Sequence, residues 1–169
     1  MQEHLSGRTQ FAGVGITFKP VDRFSLDIDA NYRHHQGWLL HQGGRRMTTF
    51  DAGNWQPRLA MDIFITARQQ LRLTMQWAGI VADEQAFYQI PIEPGALIEV
   101  DKDADAAIGD FTMSRLTAQL RYRWEIAPLS DLFVVYTRGS NLDNRVDDEF
   151  GNLLTDAFSD PVIDVLVVK

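Results

Sequence analysis

The stretch Phe24-Ser25-Leu26-Asp27-Ile28-Asp29-Ala30-Asn31-Tyr32-Arg33 alternates apolar and polar side chains without a break. In an extended chain successive side chains point to opposite faces. Phe24, Leu26, Ile28, Ala30 and Tyr32 therefore share one face, while Ser25, Asp27, Asp29, Asn31 and Arg33 share the other. This predicts a strand over about 24–34.

The same period of two recurs along the chain. Val14, Ile16 and Phe18 oppose Gly13, Gly15, Thr17 and Lys19 in a strand over about 9–19. Leu59, Met61, Ile63 and Ile65 oppose Arg58, Ala60 and Asp62 over about 57–68, with Phe64 the large exception. Leu71, Leu73, Met75 and Trp77 oppose Arg72, Thr74 and Gln76 over about 71–80, and Leu116, Ala118, Leu120, Tyr122 and Trp124 oppose Arg115, Thr117, Gln119, Arg121, Arg123 and Glu125 over about 111–125. Leu132 to Tyr136 is apolar on both faces of a strand over about 131–138, so its inward side stays open, and a last strand runs from Pro161 onward.

Short connections are expected at Pro20 to Arg23, Gln69-Gln70 and Ala127 to Asp131, and long polar ones at 35–56, 81–110 and 139–160. One end would carry tight turns and the other large excursions, which is how transmembrane β-barrels are built. The expected fold class is all-β: an antiparallel up-and-down transmembrane β-barrel with about seven long strands, short periplasmic turns and long extracellular loops. Several strands reach 11 to 15 residues, the length of a tilted bilayer crossing and above the mode of about 5–6 in globular sheets. Aromatic residues near strand ends, among them Phe18, Phe24, Tyr32, Trp55, Trp77, Tyr122 and Trp124, suit interfacial belts.

A mean hydropathy of -0.20 excludes a bundle of membrane helices but is ordinary for a barrel. A net charge of -7 argues against nucleic acid as a partner. There is no cysteine, hence no disulfide, thiolate metal site or cysteine nucleophile. Residues 2–8 have neither a basic nor an apolar signal-peptide region. Val165 to Lys169 stops in mid-strand. Single-chain bacterial barrels have an even number of strands. The chain is thus expected to be one partial barrel domain over 1–169, truncated at both ends.

Arg68 and Arg72 flank the expected Gln69-Gln70 turn, and Arg121 and Arg123 approach the next turn at the same end. These four form a candidate basic cluster in the lumen. Two readings stand: a basic constriction that favours anions, or a ladder paired with Asp27, Asp29, Asp62 and Glu125. The ladder is preferred, because cross-strand charge pairs are ordinary sheet chemistry.

Other chemistry is sparse. Asp101-Lys102-Asp103-Ala104-Asp105 opens like a calcium loop, but Ala106 stands where an EF-hand needs Gly and Thr112 where it needs Glu. His34 and His35 are adjacent and face opposite sides of a strand, so they cannot chelate one ion together, and with His41 they read as surface histidines. No nucleophile elbow, P-loop or dinucleotide fingerprint occurs. No catalytic, cofactor or metal site is assigned, and an enzyme is not the favoured reading.

Gly109-Asp110-Phe111-Thr112, Leu120-Arg121-Tyr122-Arg123-Trp124, Pro128 to Tyr136 and Val167-Val168-Lys169 together resemble the tail of a bacterial family. Its members join a carbohydrate-binding module similar to family 9 to a C-terminal outer-membrane barrel of undefined function. The Trp124 to Tyr136 block, with Pro128, Ser130, Asp131, Leu132, Phe133, Val134 and Val135, is the most specific part. The match extends over the whole chain as the C-terminal half of such a barrel. Members continue past the final lysine to an aromatic C-terminus. The resemblance implies placement in the outer membrane of a Gram-negative cell, with the lipid bilayer as partner and an association with glycans; small anions are the solutes that the basic-constriction reading of the arginines would favour. The expected role is membrane scaffold or transport pore. The alternatives are a soluble ligand-binding β-barrel or sandwich, and an outer-membrane hydrolase with loop-borne chemistry.

Overall fold

Alternation produces a strand in every expected place; those expected over 24–34, 57–68 and 71–80 extend far beyond one of their limits, whereas the last begins only at Ile163, past Pro161. The computed structural model describes residues 7–102, 109–143 and 150–169. In chain order the elements are β1 (Thr9–Val21), β2 (Phe24–Gly43), β3 (Arg46–Thr66), β4 (Gln69–Gln89), β5 (Ile98–Val100), β6 (Phe111–Ala127), β7 (Ser130–Asp143), α1 (Phe150–Ser159) and β8 (Ile163–Val168). They form one eight-stranded sheet in the order β1-β2-β3-β4-β6-β7-β8, with β5 paired to β4. Every pairing is antiparallel. The sheet is up-and-down and open, with β1 and β8 as its edges.

Three expected connections are corrected. The 35–56 segment is not a loop: β2 and β3 continue through it to a two-residue turn at Gly44-Arg45, closed by the Gly43–Arg46 pair. Gly43 and Gly44 both have positive φ, which such a turn requires and which glycine adopts without steric cost. In 81–110, β4 continues to Gln89 and β5 returns against it. In 139–160, β7 continues to Asp143 and α1 occupies Phe150–Ser159.

The turns at the other end shift slightly. They fall at Asp22-Arg23, Ala67-Arg68 and Pro128-Leu129, so Gln69-Gln70 belongs to β4. A register irregularity precedes each turn, between Phe18 and Val21, Phe64 and Thr66, and Glu125 and Ala127. Two of them lie inside the expected connections 20–23 and 127–131, and only the Ala67-Arg68 turn stands apart from the expected Gln69-Gln70; none carries Asn-Gly or Asp-Gly, the strongest sequence mark of a tight hairpin. This set of turns defines the near end, and the Gly44-Arg45 turn the far end.

Pairing register assigns the two faces. Face A carries Val14, Ile16 and Phe18 of β1, Leu26 and Ile28 of β2, Leu59 and Met61 of β3, Leu71 and Leu73 of β4, Leu120 and Tyr122 of β6, and Val134 and Tyr136 of β7. Face B carries Thr17, Asp27, Asp29, Arg58, Asp62, Arg72, Gln76, Arg121 and Arg123. Register also settles β7, which sequence left open: Leu132, Val134 and Tyr136 lie on face A, Phe133 and Val135 on face B.

Toward the far end the apolar groups change sides. Trp38, Phe50, Ala52, Ile80, Ala82 and Phe111 form a core on face B, with the Phe50 and Phe111 rings 5.1 Å apart. Face A there holds mostly small or polar residues, including Asp51, Gly53, Gly79, Asp83, Thr112, Ser114 and Ser140, with Leu39, Val81 and Leu142 among them. A second core joins Trp77 and Leu116 of face A to Leu153 and Ala157 of α1. Among the described residues, every buried side chain lies from Trp77 and Leu116 outward to the far end. The near half has an apolar face and no protein core beneath it: Ile16 is 62% exposed, Ile28 41% and Leu166 65%.

Candidate functional site

Face B of the near half is where polar and charged side chains converge. Asp62 on β3 and Arg72 on β4 are register partners, and Arg72 donates to Asp62 Oδ2 through Nη2 at 2.5 Å and Nε at 3.1 Å. Gln70 Nε2 donates to the same carboxylate at 2.7 Å and 3.0 Å. Arg123 on β6 grips Asp131 on β7 with a two-pronged contact of 3.0 Å and 3.1 Å, the geometry a guanidinium fork favours. Of the expected cluster, Arg72, Arg121 and Arg123 therefore share face B on adjacent strands. Arg68 sits in the turn itself, where it lines a small depression with Arg123 and Glu125.

The ladder forms, with different members from those expected. Asp62 pairs as anticipated, and Asp131 takes the place given to Glu125. Asp27 and Asp29 do not join it. Asp27 accepts from Thr17 Oγ1 at 2.7 Å. Asp29 leans toward β1 because Gly15 leaves room: a Cβ on Gly15 would stand 2.6 Å from Asp29 Oδ1. Both β2 carboxylates thus turn to the β1 side. Arg58, the register partner of Asp29 on β3, keeps no carboxylate of its own among the described residues.

Arg58 lines a groove of about 370 Å³ on face B, together with Asn31, Gln56, Gln76, Arg115 and Thr117. These residues stem from β2, β3, β4 and β6. Arg115 likewise has no carboxylate partner among the described residues. Each of the two arginines reads singly as the polar half of an alternating pair. Only the cross-strand register places both beside one groove, so sequence alone passed over it.

The histidines separate as predicted, one to each face, yet one is not a surface residue. His34 pairs with Asp51 on face A. His35 is buried on face B at the margin of the aromatic core, 3.3 Å from Thr9 Oγ1 through Nδ1. Of the calcium-like run, residues 103–108 lie outside the described residues. Among the described residues no group of His, Asp and Glu gathers as a metal site.

On the opposite face, aromatic rows bound the apolar surface. Tyr32 and Trp55 are register partners with rings 4.7 Å apart, and Trp77 lies one step nearer the turns on β4. At the near end stand Phe18, Phe24, Tyr122 and Trp124, with Phe18 and Phe24 edge to face at 6.3 Å. From Phe24 to Tyr32 the strand rises about 26 Å. The band crosses the rungs obliquely. The charged Arg138–Asp164 pair on β7 and β8 stands on face A at the rung of Ile28, Leu59, Met75 and Ala118. A level band on tilted strands requires that offset.

No protein-family model, curated protein or solved structure matches the chain.

Proposed function

We propose that this sheet is part of the wall of an outer-membrane β-barrel acting as membrane scaffold or pore, with face A in hydrocarbon and face B toward a water-filled interior. One observation carries the proposal. The near half of every long strand presents an apolar face with no protein core against it, while both cores lie toward the far end. A contiguous exposed apolar surface of that extent calls for a non-aqueous neighbour. Lipid is favoured over a second protein surface by the aromatic rows at both borders and by the oblique run of the band. A rise of about 26 Å on a strand tilted by about 40° spans about 20 Å, close to the apolar band of such barrels. No helix among the described residues is long and apolar enough to cross a membrane, and that has no bearing on strands.

The pore half of the proposal rests on the charged residues of face B. Open edges at β1 and β8 leave room for further strands to complete a ring. The family resemblance agrees with this placement and adds association with glycans to the proposal. The test is vesicle flotation followed by recording in planar bilayers. Flotation with stepwise conductance, anion-selective and less so in Arg121→Ala or Arg123→Ala, supports the pore. Flotation without conductance supports the scaffold alone. Protein that stays in the aqueous phase and melts cooperatively without detergent overturns the membrane assignment.

A further inference from the structure

We propose that the groove on face B binds a small hydroxylated carboxylate, with the acid group held by Arg58 and Arg115 and the hydroxyls by Gln56, Gln76 and Thr117. The inference rests on face B being the solvent-filled side of the sheet, and it names what that side takes up.

Charge on face B is sorted across the strands. The carboxylates of β2 turn toward β1, where Gly15 admits Asp29 and Thr17 holds Asp27. The Asp62–Arg72 and Arg123–Asp131 pairs nearer the turns are satisfied internally. Arg58 and Arg115 are the lining cations left without a carboxylate among the described residues, and both border the same cavity. A guanidinium is a fixed cation with a planar fork of donors that matches a carboxylate. Such a pair in one groove is therefore complementary to an acid group supplied from outside.

The remaining lining sets the second half of the ligand. Two carboxamides and a hydroxyl offer both donors and acceptors, which suits alcohol groups rather than a bare inorganic anion. Arg58 and Thr117 share the rung of Gln76, and Arg115 stands one same-face step farther along β6. Strands β3 and β6 flank β4, so the two arginines rise from backbones about 10 Å apart and reach a common solute from opposite sides. A volume of about 370 Å³ admits a sugar acid or hydroxy acid of modest size.

The test is calorimetric titration of the protein, folded in detergent micelles, with D-glucuronate and separately with D-glucose. Glucuronate should bind saturably and at least about tenfold more tightly than glucose, since charge-assisted hydrogen bonds supply the difference. Arg58→Gln and Arg115→Gln should each weaken glucuronate by about tenfold or more, while Lys19→Gln, another exposed cation on the chain, should leave it within about twofold. Equal binding of the two sugars, absence of saturable glucuronate binding, or tight binding in both arginine variants would overturn the proposal. The comparison of the two sugars needs no variant, so it decides even where a substitution disturbs folding. Protein that floats with vesicles yet binds no glucuronate loses this inference alone.

Discussion

Trp77 donates its indole N–H to Ser114 Oγ at 2.8 Å, and Ser114 in turn donates its hydroxyl to the carbonyl of Leu153 at 2.9 Å. This relay fastens α1 to face A where the apolar band ends. The Trp77 ring lies over the backbone of Gly79, where any Cβ would collide with it. A large side chain thus folds flat against the sheet and leaves a seat for Leu153 and Ala157. On the membrane reading, α1 marks the level at which the surroundings of face A change from lipid to protein and water.

Ser114→Ala removes one hydroxyl and leaves the buried Trp77 N–H without its acceptor, while the Leu153 carbonyl, inside α1, loses its donor from the sheet. Leaving such groups unpaired costs about 1–3 kcal/mol. The expected result is faster amide hydrogen exchange in 153–159 with the near-end strands unchanged. Unaltered protection of α1 would mean that the relay does not hold it.

Leu129 is a non-glycine residue with positive φ, and it is fully exposed in the Pro128-Leu129 turn. The left-handed conformation costs a side-chain-bearing residue about 1–2 kcal/mol, part of which glycine returns through its greater freedom in the unfolded chain. Leu129→Gly should therefore raise stability to urea by about 0.5–1 kcal/mol. A loss of stability would show that the leucine side chain has a contact of its own.

Adjacent residues on β6 separate the two faces. Leu120 lies on face A and Gln119 on face B. Arginine at a lipid-facing position near the bilayer midplane costs about 2–4 kcal/mol, and substitutions facing the lumen cost far less. Leu120→Arg should lower urea stability in lipid vesicles by that amount, and Gln119→Arg by less than about 1 kcal/mol. Equal losses would remove the distinction between the faces.

The near half of the fold was legible because each strand there except β7, which is apolar on both faces over Leu132 to Tyr136, keeps one period against one kind of surroundings. Ile28 and Asp29 declare their faces without help from any other residue. Past Tyr32 that signal fails for two physical reasons. An extra residue at Gln36-Gly37 in β2, with Gly37 at positive φ, and another at Gln85 in β4 shift the phase of alternation. The apolar groups also move to the other face, so Trp38 and Phe50 break the earlier pattern although the strands continue. Glycine-rich and acidic stretches then resembled loops. The arginines of the candidate cluster were identifiable singly, but their partners were not. Asp131 stands opposite Glu125 on β7, one same-face step from Phe133, the register partner of Arg123, and the guanidinium reaches it diagonally across the strands.

The most direct test of the account is power-saturation EPR on single spin labels in vesicle-reconstituted protein, with oxygen and a water-soluble nickel chelate as relaxants. Labels at Ile28, Leu59 and Leu120 on face A should be oxygen-accessible and shielded from nickel, whereas labels at Gln119 on face B and Asp51 beyond the band should meet the nickel reagent. Labels at Ile28, Leu59 and Leu120 that meet the nickel reagent, or are closed to both relaxants as in a packed protein interior, would contradict it.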